Sequence, residues 1–326
     1  MTQSRTLNLF ILSSTFFLSI QLPAYGQRQQ FGLTGLDASP AEVQGGEPFS
    51  LIVEVNHESD RDAGLAVRFT SGEMAVAPFA PRNAFVLKPL MSLTVSGFPT
   101  RAVPVDTTVV LRATAEGLTR EATLLVRAPR IASVDTDRGG FTGGESGTGV
   151  VNLTGPAPPT GLLVELASSD PDVVSVPASV IVLPGATEAE FPVATSGVDT
   201  IQNVTVTAFY LDSDASEKVE VRPAQVETFT LRPDSVVSGA RAIGVVTLNG
   251  LAPPGGTPIE IVLGGADPAP VILPEVVVLE GARQAIFEID TIAVAVESLV
   301  TLRAQVAGQR DSGNGEIGRA SCRERV

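Results

Sequence analysis

Nucleophilic hydrolysis by serine or cysteine needs an imidazole beside the nucleophile to carry the proton. The 326-residue chain holds one histidine, His57, and one cysteine, Cys322. His57 lies in Asn56-His57-Glu58-Ser59-Asp60, where flanking charges place it in a solvated loop. A zinc site needs several His or Cys ligands, and these two residues cannot supply it. Calcium takes carboxylate and carbonyl oxygens from loops. Three acidic loops offer them: Glu58-Ser59-Asp60-Arg61-Asp62, Asp135-Thr136-Asp137 and Asp212-Ser213-Asp214. Asp135, Asp137, Asp212 and Asp214 are therefore the candidate metal ligands, the first two beside a module boundary that a metal would stiffen. None of the loops has the full calcium-loop spacing with a terminal glutamate. The expectation is no cofactor, with calcium the one metal these loops could take.

Glycoside hydrolysis uses paired carboxylates, and acids are plentiful here. The chain has no tryptophan and two tyrosines to line a sugar cleft, which also weakens carbohydrate binding by ring stacking. Phe141, Phe209 and Tyr210 read as core or strand-end packing. Asn152-Leu153-Thr154 and Asn203-Val204-Thr205 match the glycosylation sequon but fall on predicted strands, so they read as structure. No catalytic residue is assigned.

The elements that would position any site are written in a repeat. Gly149-Val150-Val151-Asn152-Leu153-Thr154-Gly155-Pro156-Ala157-Pro158-Pro159 returns as Gly244-Val245-Val246-Thr247-Leu248-Asn249-Gly250-Leu251-Ala252-Pro253-Pro254. Pro184-Gly185-Ala186 leading to Phe191 returns as Glu280-Gly281-Ala282 leading to Phe287. Val204-Thr205-Val206-Thr207-Ala208 returns as Val300-Thr301-Leu302-Arg303-Ala304. Each copy alternates apolar and polar residues in short runs, with turn signals about every 8–12 residues, the pattern of a β-sandwich. Strands are predicted near 131–134, 148–153, 162–167, 173–176, 179–183, 188–193, 204–210 and 217–221. Gly139-Gly140 and Gly143-Gly144 supply turns where φ must be positive.

A divergent copy precedes these two. Phe49, Leu51, Val53 and Val55 point one way along a strand, as do Val109, Leu111 and Ala113 along another. Between them the pattern is irregular, with short strands expected at 85–87, 91–95 and 103–105, and 122–127 closes the copy. No stretch after the leader keeps a 3.6-residue period with caps, so almost no helix is expected. Modules are placed at 27–128, 129–223 and 224–315. Roughly 290 residues at about 100 per domain fits three. The linkers are short and carry proline, which restricts hinge motion and favours an extended rod.

Both ends stand apart from the modules. Residues 1–26 read as an export signal: Arg5, an apolar core from Leu7 to Ile20, and small residues at Ala24-Tyr25-Gly26 before a cut at Gln27. That core, about 14 residues, is too short to span a membrane. At the other end, residues 316–326 resemble the translation of a common sequencing-library adapter and are set aside from the fold. The only cysteine goes with them, so disulfides cannot hold the modules together. Set aside leader and tail, and 18 basic and 34 acidic residues remain, a net charge of −16. Such a surface is soluble and self-repelling. It argues against nucleic acid and anionic membrane, which need clustered Lys and Arg.

The second and third copies resemble the bacterial tandem immunoglobulin-like repeats of secreted and surface proteins. The residues that carry the likeness are Thr148, Gly149, Val151, Leu153, Gly155, Ala157 and Pro158, then Val176, Pro177, Val180, Val182, Gly185, Ala186, Thr187 and Phe191. The third copy departs at Ile243 and Arg283, changes a solvated position would tolerate. The resemblance implies an all-β fold of tandem immunoglobulin-like β-sandwiches and a non-enzymatic role as spacer, stalk or adhesive segment. It implies secretion or display at the cell surface, with a protein or glycan surface ligand. The alternative is the accessory arm of a secreted hydrolase. One further expectation concerns the third copy: its closing strand should fall near 313–317, where the tail interrupts it. The strand 299–306 would then keep an unpaired apolar edge.

Overall fold

Alternation along the chain becomes strands because each run can bury one face and solvate the other. Phe49, Leu51, Val53 and Val55 are all buried while Glu54 between them is exposed. In the computed structural model the described residues are 32–56, 64–237, 239–263, 271–292, 298–308 and 318–323. None of them is helical. The export signal, His57 and the first acidic loop (58–62) lie outside the described residues.

The first sandwich is made of β1 (Leu33–Ser39), β2 (Glu42–Gln44), β3 (Phe49–Val55), β4 (Leu65–Ser71), β5 (Arg82–Val86), β6 (Ser92–Phe98), β7 (Thr107–Ala115) and β8 (Leu118–Arg127). Its sheets have the orders β1-β3-β6 and β2-β8-β7-β4-β5. The second is made of β9 (Ile131–Thr136), β10 (Gly140–Thr142), β11 (Ser146–Leu153), β12 (Leu162–Ser168), β13 (Val174–Ser175), β14 (Ser179–Val182), β15 (Glu188–Thr195), β16 (Gln202–Tyr210) and β17 (Ser213–Arg222). Its sheets run β13-β15-β11-β9 and β10-β17-β16-β12-β14. The third repeats that plan with β18 (Val226–Arg232), β19 (Ser235–Val237), β20 (Arg241–Leu248), β21 (Thr257–Leu263), β22 (Val271–Ile272), β23 (Val276–Val278), β24 (Gln284–Thr291), β25 (Ser298–Val306) and β26 (Gly318–Arg323). Its sheets run β18-β20-β24-β22 and β19-β26-β25-β21-β23. In each sandwich a short second strand pairs in parallel with the last strand, and the other pairings among the described residues are antiparallel. These are immunoglobulin-like β-sandwiches.

The chain divides into two compact units. One holds the stretch ending at Ala41 with Pro48–Phe98 and Val109–Leu124; the other holds Glu42–Glu47, Pro99–Thr108 and everything from Leu125 on. In the first unit the core is aromatic: Phe98 stacks on Phe49 at 5.4 Å and meets Phe69 and Phe79 at 5.7 and 4.7 Å. The second and third sandwiches have cores rich in valine, leucine and isoleucine.

The repeated sequence marks turn out to be hydrogen-bonded to one another. Ala157 donates its N–H to Ala186 O, and Gly185 donates back to Ala157 O. Ala252 and the Gly281-Ala282 turn make the same two bonds. Glycine is needed at both turns, where φ is 77° and 70°. A second mark joins strand to aromatic ring. Gly149 pairs with Phe191 across β11 and β15, and a Cβ at Gly149 would lie 2.2 Å from the ring. Gly244 and Phe287 repeat the pair. Register places Leu51 and Val95 at this position in the first sandwich, so the volume is split evenly where the others use glycine and phenylalanine.

Phe191 is buried, but Phe287 is only partly so. Where the second sandwich has Val134, the third has Phe229, whose buried ring fills the shared space and stacks on Phe287 at 6.0 Å. The middle of the first sandwich also differs from expectation. Leu65–Ser71 is a full strand, and Val103 to Val105 is not a strand.

The expected unpaired edge at 299–306 is not found. β26 pairs antiparallel with β25 from Ser298↔Cys322 to Leu302↔Gly318, and in parallel with β19. Residues 313–317, where the closing strand was expected, lie outside the described residues. The tail set aside from the fold supplies the strand instead. A strand edge offers backbone donors and acceptors that any extended segment can meet, whatever its side chains.

Candidate functional site

Three of the four candidate calcium ligands face protein groups. Asp135 accepts from Ser133 Oγ at 2.7 Å and Asn152 Nδ2 at 2.9 Å. Asp137 faces Arg138 at 3.7 Å, and Asp212 pairs with Arg130 at 3.0 Å. Asp214 stands opposite Phe209 in the β16–β17 hairpin. Among the described residues no three potential ligands converge on one point. Asn152 and Asn203 lie on β11 and β16, the former with its amide already bonded. Phe141 is core, whereas Phe209 is 43% exposed on the outer face of its sheet. Tyr210 is half-buried and donates its hydroxyl to Pro104 O at 3.0 Å. Burial pushes its phenol pKa up, so the hydroxyl stays a neutral donor.

What the second unit does bring together is a pair of joints, each formed by a Gly-Gly turn against a Gly-x-Ala-Pro-Pro loop. In the second joint, Gly143-Gly144 follows β10 and meets Gly250-Leu251-Ala252. Leu251 donates its N–H to Gly143 O at 2.7 Å. Arg283 Nη2 donates to Gly144 O at 3.0 Å. Side chains are excluded by closeness: a Cβ at Gly144 would lie 2.2 Å from Leu251 Cγ, one at Gly197 2.5 Å from Leu251 O, and one at Gly250 2.5 Å from Gly143 O. Gly144 also has φ 86°, a conformation that favours glycine.

In the first joint, Gly45-Gly46 follows β2 and meets Gly155-Pro156. A Cβ at Gly46 would lie 2.9 Å from Pro156 Cγ, and one at Gly155 2.4 Å from Gln44 Cγ. Around this contact runs an ionic network. Asp106 accepts the Ala128 N–H at 2.9 Å and pairs with Arg127 at 2.9 Å and Arg130 at 3.5 Å. Arg127 also meets Glu42 at 2.7 Å, and Arg130 reaches Asp212. The Ala128 N–H, then Arg127, hold the Asp106 carboxyl below the usual aspartate range; the Arg127 hydrogen bond does the same for Glu42. Arg130 Nη1 is buried with no acceptor among the described residues, which offsets part of the gain.

Sequence reasoning marked the Gly-Gly turns and the Ala-Pro-Pro loops but not that they meet. It treated Arg283 as a solvated substitution; the guanidinium is exposed and yet bonded across the joint. Asp106, Arg127 and Arg130 went unnoticed. Their signal was two arginines flanking Pro129 at a module boundary.

No protein-family model matches the chain, and comparison with curated proteins finds no match. Comparison with solved structures returns immunoglobulin-like arrays and adhesin fragments. The I9–I11 tandem of titin is 8% identical with a TM-score of 0.31, covering 90% of this chain and 98% of that one. The Escherichia coli adhesin FdeC is 12% identical with a TM-score of 0.30, covering 90% and 99%. The D1–D4 ectodomain fragment of ICAM-5 is 16% identical with a TM-score of 0.34, covering 89% and 76%. Among the described residues no helix is long and apolar enough to cross a membrane.

Proposed function

We propose that the chain is a non-enzymatic, exported array of immunoglobulin-like modules, serving as a spacer or adhesive segment at a cell surface and meeting a protein or glycan there. The observation that carries this reading is the second joint. Three glycines at Gly144, Gly197 and Gly250 leave no room for side chains, and backbone of one sandwich bonds backbone of the next. A flexible linker between independent domains has no use for such a fit. A spacer does, because its task is to hold distance and direction.

The test is the tumbling of residues 129–323 within the full chain, read by backbone NMR relaxation. The second and third sandwiches should share one rotational correlation time. Gly144→Leu should give them separate times while both stay folded. Independent tumbling in the unaltered chain would overturn the reading.

A further inference from the structure

Three edge strands of the molecule expose apolar residues at matching positions. β5, β14 and β23 each end their sheet, with no strand neighbour on the outer side among the described residues. Each presents an apolar side chain outward at intervals of 96 residues: Phe85, Ile181 and Val277, exposed by 52, 61 and 47%. Two positions on, each chain segment again exposes leucine, at Leu87, Leu183 and Leu279. Across the ladder the partners are Ala66, Leu163 and Pro258. Natural edge strands are blunted by lysine, inward charge or a bulge. Ser179–Val182 and Val276–Val278 contain no charged residue at all.

The residue two positions along the inner strand separates the copies. It is Glu165 in the second sandwich and Glu260 in the third, both exposed, and Arg68 in the first. A free strand edge takes another strand through its backbone, and the side chains beside it choose which one. Beside β14 and β23 that choice is apolar residues facing Ile181 and Val277, with cations near Glu165 and Glu260.

We propose that the free edges of β14 and β23 bind an extended segment of a partner polypeptide that carries apolar and basic residues in turn along one face, at every second position. The proposal rests on the adhesive half of the function given above and names its partner class. Two such edges on one chain would bind a partner with repeated segments more tightly than either alone. β5, with Arg68 in place of glutamate, does not take a basic strand and serves as an internal control. Net charge favours the same partner over a second copy of this chain, because acidic surfaces repel one another.

The probe is a capped peptide of about eight residues, a typical strand length, with valine and lysine in turn at every second position and threonine between them. It is added to the full chain and followed by amide hydrogen exchange. Protection is expected on β14 and β23 and not on β5. The same peptide with glutamate in place of lysine and a peptide of the same composition with its lysines in one block should protect neither. Ile181→Lys, on the outer face, should abolish protection of β14 alone. Glu165→Lys, one strand in from the peptide, should weaken binding there about twofold, toward the low end for a cross-strand charge pair. Protection of β5 equal to that of β14, indifference to Ile181→Lys, or no protection at millimolar peptide would overturn the proposal. So would self-association of the chain that protects the same edges without peptide. None of these outcomes alters the joint tumbling of the second and third sandwiches, so failure here leaves the spacer reading standing.

Discussion

In the second joint Leu251 gives its N–H to Gly143; at the same place in the first joint stands Pro156, which has no N–H to give. The two joints use the same turn and the same loop, and one substitution removes the bond that locks the second. In its stead the first joint has charges: Glu42, Arg127, Asp106, Arg130 and Asp212 in one chain of contacts. The forces differ in kind. A backbone bond in a glycine-lined contact is indifferent to salt and to moderate acid. An ionic network with side chains a quarter to three-quarters exposed is screened by salt and depends on deprotonated carboxylates. The two joints should therefore fail under different conditions.

The largest effect lies inside a sandwich and sets the scale for the joints. Phe191→Ala should destabilise the second sandwich by about 3–5 kcal/mol, as for a core phenylalanine, in denaturant unfolding followed by region-resolved exchange. A change within about 0.5 kcal/mol, typical of surface sites, would show that the ring over Gly149 does not hold the sheets together. Next comes Gly144→Leu. The positive φ alone costs about 1–3 kcal/mol for a side-chain-bearing residue, and Leu251 must also move. It should loosen the second joint and leave the Asp106 network intact; loosening of both would mean the joints are not separate.

Asp106→Asn should do the converse at a cost of about 1 kcal/mol or less, because the amide oxygen still accepts the Ala128 N–H. Acid should act in the same direction. Asp106 and Glu42 have lowered pKa values in the folded chain. Their stabilisation is therefore present above the ordinary carboxylate range and is lost as pH falls through the lower folded values. Exchange of the Ala128 amide should quicken there while Leu251 stays protected. The smallest effect is expected from Arg283→Gln, about 0.5 kcal/mol, the low end for a hydrogen bond. An exposed arginine that proved worth much more would mean that the side chain, and not the backbone, holds the second joint.

The strands of the second and third sandwiches were readable because each buries one face, and Val151, Val206 and Val246 announce that face by alternation. The turns were readable because Gly185 and Gly281 sit where φ is positive. What the turns bond to was not, since Ala157 and Ala186 are 29 positions apart and neither side chain makes the bond. The partial burial of Phe287 is not legible in the repeat, because it depends on Phe229, a residue on another strand. Arg283 misled because an exposed position can still reach across a joint. β26 was discounted on the origin its sequence resembles, yet a ladder is formed by backbone, which carries no record of origin. The Asp106 network brings together residues from four separate stretches, from Glu42 to Asp212, and the two arginines flanking Pro129 are the one local mark of that meeting.

The amide of Leu251 reports directly on whether the glycine-lined contact is a real lock. Hydrogen exchange of that single N–H should be slow in the full chain, comparable with the Ala252 amide beside it, which bonds within its own sandwich. In Gly144→Leu it should speed up by an order of magnitude or more, the factor for a loss of about 1.4 kcal/mol, while Ala252 is unchanged. A Leu251 amide that exchanges freely in the unaltered chain, with Ala252 still protected, would show that the second and third sandwiches merely touch, and would contradict the account.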